Sequence, residues 1–239
     1  MSRVEGLETG LLLDAGNGVL LEGDLTVPPG AVALVVFAHG SGSSRRSARN
    51  RLVAEALRGR GLGTLLLDLL RSAEGEEDAI WLHLRFDTPL LGNRLSEVLG
   101  WLRRAGPCRE LPLGLFGAST GASAALLAAA RHPGEVFAVV SRGGRPDLAK
   151  NSLDAVRAPT LLIVGGEDPT VRLLNEAALG RLGGPRRLVV VPGATHLFEE
   201  PGALDEVARL AGDWFVEQLP VQGAVRPVVR AEGARGISP

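Results

Sequence analysis

Six short apolar runs, most of them followed by a segment of helical spacing, constrain this chain more than any other feature. They are AVALVVFA (31–38), GTLLLDLL (63–70), LPLGLFG (111–117), VFAVVSRGG (136–144), TLLIVGG (160–166) and RLVVVPG (187–193). Runs that are apolar throughout and rich in β-branched residues suit strands buried on both faces. Between them, RNRLVAEALRGRG (49–61) carries Leu52, Val53, Ala56 and Leu57 at helical spacing, with Gly61 as a stop. SEVLGWLRRA (96–105), TGASAALLAAARHP (120–133), VRLLNEAALGRL (171–182) and ALDEVARLAGDWFVEQL (203–219) read as further helices. Such alternation predicts an α/β fold, a mostly parallel open sheet with helices on both faces. TGLLLDAGNGVLLEGDLTV (9–27), turning at Gly16-Asn17-Gly18, predicts an antiparallel hairpin at one edge.

Residues 1–219 are expected to form a single domain, which suits an α/β chain of 239 residues. Within it RSAEGEEDAIWLHLRFDTPLLG (71–92) is charged and then aromatic, and residues 71–94 are read as a candidate cap or flap. Residues 220–239 lack periodicity and are expected to be a tail outside the core. The formal net charge is −1, which gives no overall electrostatic footprint for nucleic acid or membrane. Cys108 is the single cysteine, so an intrachain disulfide is excluded, and the first ten residues lack an apolar leader core. A cytoplasmic protein is expected. The scarcity of lysine (Lys150 alone) against abundant Ala, Leu, Gly and Arg fits a GC-rich bacterial genome.

Chemistry concentrates at Gly117-Ala118-Ser119-Thr120-Gly121, a G-x-S-x-G pattern between a predicted strand and a predicted helix. A turn that sharp needs glycine two residues either side of the serine, and it presents the hydroxyl at a helix N-terminus. The bland alternative, a serine that only caps the helix, is outweighed by that context. A nucleophilic serine needs a base, and the base needs an orienting acid. Of four histidines, His132 sits at a helix end and suits a cap, and His83 suits a partly buried structural role. His196, in PGATHLF after the last strand, is the candidate base. Asp168, in GGEDPTV, is the candidate acid, with Glu167 and Asp147 as competitors.

HGSGSSRRSARN (39–50) follows the first buried run. It lacks the lysine of a phosphate-binding P-loop and the third glycine of a dinucleotide fingerprint. It is read as an oxyanion loop, with the amides of Ser41 and Thr120 as donors, Gly40 and Gly42 allowing close approach, and His39 bracing the loop. Arg45, Arg46, Arg49 and Arg51 are expected to be solvated charges at a helix start, with anionic substrate as the lesser alternative. No Cys/His cluster has zinc spacing, and neither cofactor nor metal is expected.

With HGSGSSRRSARN, FGASTGAS, VSRGGRPDLA, LLIVGGEDPTV and PGATHLFEEPG in this order, residues 9–219 resemble the α/β-hydrolase superfamily, and within it bacterial dienelactone-hydrolase-like proteins. The order Ser119, Asp168, His196 is that of the superfamily. Dienelactone hydrolases carry cysteine at the elbow, whereas this chain has Ser119, a departure that points toward ordinary carboxylic esters. Some relatives are fused to a phosphoribosyltransferase domain, which is not expected in these residues. The resemblance implies a serine esterase acting on a small-molecule ester through an acyl-enzyme. Thioester or lactone hydrolysis, or acyl transfer, is the alternative on the same triad. A non-catalytic binding protein is the alternative from another class. Trp81 and Phe86 are candidates for the substrate pocket, with plain packing as the equal alternative. Arg142 could orient a substrate carboxylate or brace a loop, and bracing is favoured.

Overall fold

The computed structural model describes residues 6–220. All but the first residue of the expected tail over 220–239 lies outside the described residues. Strands β1 (Leu7–Asp14) and β2 (Leu20–Val27) form the antiparallel hairpin, in register from Leu7↔Val27 to Asp14↔Leu20. Its turn holds Gly16, Asn17 and Gly18 all at positive φ, and Asp14 Oδ1 accepts the Gly16 N–H at 2.9 Å. Strands β3 (Ala33–Ala38), β4 (Leu62–Leu67), β5 (Leu113–Ala118), β6 (Val136–Arg142), β7 (Thr160–Gly165) and β8 (Arg186–Val191) run parallel to one another. The sheet order is β1-β2-β4-β3-β5-β6-β7-β8, with β2 antiparallel to β4.

Helices α1 (Ala48–Arg58) and α6 (Ala203–Glu217) cover one face. Val53, Leu57, Val207, Trp214 and Phe215 pack there on Phe37 and Phe116. Helices α3 (Thr88–Arg104), α4 (Thr120–Arg131) and α5 (Pro169–Leu179) cover the other, with a 3-10 segment at Pro146–Ala155. Strands β3 to β7 are buried at every position, which is why their sequences are apolar without alternation. Each large apolar side chain so buried contributes about 1.5–3 kcal/mol.

The segment 71–94, read as a candidate cap or flap, divides into three elements. Helix α2 (Ser72–Trp81) and a 3-10 turn at Leu84–Phe86 occupy its first part, and from Thr88 the chain is already α3. Asp87 caps α3 by accepting the Leu90 N–H at 3.0 Å, Pro89 follows at the helix start, and Leu91 and Leu95 enter the core. Helix α2 is anchored to α3 by Glu74, which takes both Arg94 Nη1 and Nη2, at 2.8 and 2.7 Å. Burial alone would raise the Glu74 pKa, but Arg94 and Arg71 outweigh it and hold it at about 2. Buried Asp78 accepts the backbone N–H groups of Leu84 and Arg85 and the Arg85 Nε–H at 2.5 Å, fixing the corner beyond α2. Among the described residues no helix is long and apolar enough to cross a membrane.

Candidate active site

Ser119 stands between the central strand β5 and α4 at φ 51°, ψ −121°, a conformation that costs a non-glycine residue about 1–3 kcal/mol. Close packing sustains it. A Cβ on Gly117 would run into the Ala122 backbone, and one on Gly121 into the carbonyls of Ala38 and His39. Two backbone bonds hold the turn from the β6 side. Ser119 N–H donates to Arg142 O at 3.1 Å, and Arg145 N–H donates to Ser119 O at 3.2 Å.

Three loops at the carboxyl ends of β5, β7 and β8 converge here. His196, after β8, has Nδ1 2.7 Å from Asp168 Oδ2 and Nε2 3.3 Å from Ser119 Oγ. The carboxylate accepts a proton on Nδ1, which leaves Nε2 free to accept from the Ser119 hydroxyl. Asp168 serves twice, since its Oδ1 also caps α5 at the Val171 N–H, 3.3 Å away. Its sequence competitors stand elsewhere: Glu167 is exposed, and Asp147 is held by Arg145 at 2.9 and 2.8 Å. His132 caps α4 and meets Ser96 Oγ at 2.8 Å. His83 is exposed rather than partly buried, because the corner turns it outward at the end of α2.

A cleft of about 380 Å³ opens beside this line. Its wall includes His39, Gly40, Ser41 and Thr120. Thr120 opens α4, whose first N–H groups have no partner inside the helix and favour negative charge. Gly40 passes directly over the elbow, where an added Cβ would stand 3.0 Å from Ser119 Cβ. His39 is buried; its Nε2 accepts the Leu69 N–H at 3.1 Å and its Nδ1–H donates to Gly40 O at 2.9 Å. Burial pushes its pKa down, so the ring is neutral and ties the ends of β3 and β4 together.

The arginines after this loop are not simply solvated. Arg45 donates its backbone N–H to Asp68 Oδ1 at 2.6 Å, and its guanidinium meets Asp68, Glu22 (2.5 Å) and Asp24 (3.3 Å). It pins the loop to β2 and to the residue after β4. Arg49 pairs with Glu199 at 2.6 Å and Arg51 with Asp24 at 3.4 Å, while Arg46 is exposed.

Apolar lining of the cleft comes from Leu69, Leu70, Leu91 and Ala79. Trp81 and Phe86 lie outside it, 69% and 54% exposed, on the outer side of the α2 corner. The residues that α2 does contribute are Ser72, Gly75, Asp78 and Ala79, with Arg71 just before it, a helical spacing hidden by small and charged side chains. Arg142 is buried and lies outside the cleft wall.

Over 201 residues, 84% of its length, the chain is 57% identical to a protein from each of two strains of Mycobacterium tuberculosis, described provisionally as phosphoribosyl transferases. The match covers 44% of those relatives, so the chain spans less than half of their length. A dienelactone hydrolase from Anabaena variabilis superposes with a TM-score of 0.87 at 54% identity, over 90% of this chain and 99% of that one. Est1E from Butyrivibrio proteoclasticus shares the fold, with a TM-score of 0.71 at 18% identity over 87% of this chain and 98% of its own. No family model matches the chain.

Proposed function

The chain belongs to the dienelactone-hydrolase-like α/β-hydrolases, and from that premise we propose that it is a serine hydrolase of small carboxylic esters. The observation that carries the proposal is the hydrogen-bonded line Asp168–His196–Ser119 on a strained strand-to-helix turn beside an open cleft. His196 Nε2 takes the Ser119 proton as Oγ attacks the ester carbonyl. Asp168 steadies the imidazolium that results. The carbonyl oxygen gathers charge and is held by the amides of Ser41 and Thr120 and by the α4 N-terminus; one such donor is worth about 10²–10³ in rate. His196 then returns its proton to the departing alcohol. Water, deprotonated by the same nitrogen, cleaves the acyl-enzyme by the reverse path.

A lactone is the second reading, favoured by the name of the Anabaena relative at 54% identity. The chemistry is unchanged, except that the leaving alcohol stays tethered to the acyl group. The transferase name of the mycobacterial proteins belongs to chains of which this one spans 44%, and it is not carried over. The proposal requires no cofactor, nucleic acid or membrane, and the free thiol of Cys108 fits a cytoplasmic setting.

A p-nitrophenyl ester series from acetate to laurate, run beside a dienelactone, tests the reading. Turnover of short esters that disappears in Ser119→Ala supports it. Turnover of the lactone alone selects the second reading. Full activity in Ser119→Ala would refute the mechanism for both.

A further inference from the structure

Arg142 is the last residue of β6, in register between Ala118 of β5 and Ile163 of β7. Its carbonyl holds the Ser119 N–H, and the next residue, Gly143, lies under His196, where an added Cβ would stand 3.2 Å from His196 O. The side chain is 8% exposed, yet Nε and Nη1 are both buried without a hydrogen-bond partner among the described residues. It does not brace a loop through any bond. Besides burial, the charge that acts on it is another cation, Arg49, and the two together pull its pKa down to about 10. Arg49 stands in the first turn of α1, which has no acidic residue. It gives Nη1 to Glu199 but keeps a buried Nε with no partner. Glu200, which follows the partner of Arg49 in the chain, is bonded to Thr195 through Oε1, keeps Oε2 buried without a partner, and makes no hydrogen bond to Arg142.

A buried guanidinium with no counter-charge is costly unless an anion meets it. Two unsatisfied donors on Arg142, one on Arg49 and the positive end of α1 all favour a ligand of the same sign. We infer that Arg142 and Arg49 form an anion-binding subsite for a carboxylate or phosphate group, beside the loop that carries His196. The guanidinium fork suits either group. Sheet order sets its place relative to the reaction. The cleft lies at the ends of β3 and β4, whereas Arg142 ends β6, on the other side of Ser119. On the reading of Ser119 as nucleophile, an ester laid across it has one half in the cleft and the other directed toward Arg142. The anion is then either a charged group on that second half or a separate small anion.

Calorimetric titration and thermal unfolding with sodium phosphate and sodium acetate, at constant ionic strength, test binding without reference to catalysis. We expect saturable binding and a rise in Tm for the parent, both lost in Arg142→Met and weakened at least several-fold in Arg49→Gln. Arg142→Met removes no partnered group, so its Tm in anion-free buffer should match or exceed that of the parent. If Arg142→Met does not fold, Arg142→Lys, which keeps the charge without the fork, should weaken binding at least several-fold. A second arm compares kcat/KM for p-nitrophenyl acetate and for the mono-p-nitrophenyl ester of succinate. A preference of about tenfold or more for the charged ester that collapses in Arg142→Met assigns the anion to the substrate. Phosphate or acetate binding without such a preference assigns a separate small anion. Absence of binding by the parent, with no preference for the charged ester, would overturn the subsite and leave the esterase reading standing on its own test.

Discussion

Asp168 meets His196 at 2.7 Å through Oδ2 while its other oxygen caps α5. One carboxylate thus orients the proposed base and fixes the start of the helix that follows Asp168. Asp168→Asn keeps the cap but no longer selects the Nδ1–H tautomer. The expected fall in kcat is about 10³–10⁴-fold. Glu167→Gln and Asp147→Asn should stay close to the parent, since Glu167 is exposed and Asp147 is engaged with Arg145. A p-nitrophenyl acetate assay of the three variants checks the ranking, and a large loss in Glu167→Gln with none in Asp168→Asn would reverse the assignment.

Gly121 tolerates no side chain, because a Cβ would overlap the carbonyls of Ala38 and His39. Gly121→Ala must push α4 away from β3. Overpacking of this kind costs about 1–3 kcal/mol. Urea unfolding followed by circular dichroism should show that loss, and an unchanged midpoint would mean the elbow has more room than its backbone contacts indicate.

Arg45 ties the 39–50 loop to Asp68, Glu22 and Asp24, so under the proposed mechanism its part is one of positioning. Arg45→Met should lower kcat more than it raises KM, because the Ser41 amide matters most when the oxyanion forms. Arg45→Lys should recover only part of the loss, since a single ammonium cannot span three carboxylates. Equal, proportionate changes in kcat and KM would argue against a role in placing that amide.

His39 and Glu74 are among the groups that shape the acid limb of stability. His39 has a folded pKa below its ordinary 6.5, mainly from burial. The unfolded chain takes up that proton first, so stability is full above about 6.5 and falls as pH drops below it. Glu74 is held at about 2 against an ordinary 4.5. Its contribution is present above 4.5 and is lost as pH falls from there toward 2. Each of these two groups contributes a slope of at most about 1.4 kcal/mol per pH unit. Thermal melts from pH 8 to pH 3 should show both, with the upper limb flattened in His39→Asn and the lower in Glu74→Gln. A constant Tm for the parent between pH 8 and pH 5 would contradict the neutral His39.

Much of this was legible in the sequence, for physical reasons. Strands buried on both faces must be apolar throughout, so β3 to β7 stand out. An elbow that admits no Cβ at Gly117 or Gly121 must spell glycine at both. Asp87 and Pro89 signal the start of α3, but the charged and aromatic residues before them break the apolar periodicity that marks the rest of the helix. The cleft face of α2 was missed because Gly75 and Ala79 carry no hydrophobic signature. Arg45 finds its partners 21 to 23 residues away on neighbouring strands, a pairing that only sheet order creates. Arg142 shows the same limit in reverse, since its want of a partner is a property of the folded surroundings alone.

The proposed mechanism stands or falls with Ser119 as an activated nucleophile. Reaction of the folded protein with a fluorophosphonate, followed by peptide mass spectrometry, tests it most directly. A single adduct per chain is expected, on Ser119, formed much more slowly in His196→Ala and absent in Ser119→Ala. An unlabelled Ser119 in folded protein, or an adduct on Ser41 in its place, would contradict it.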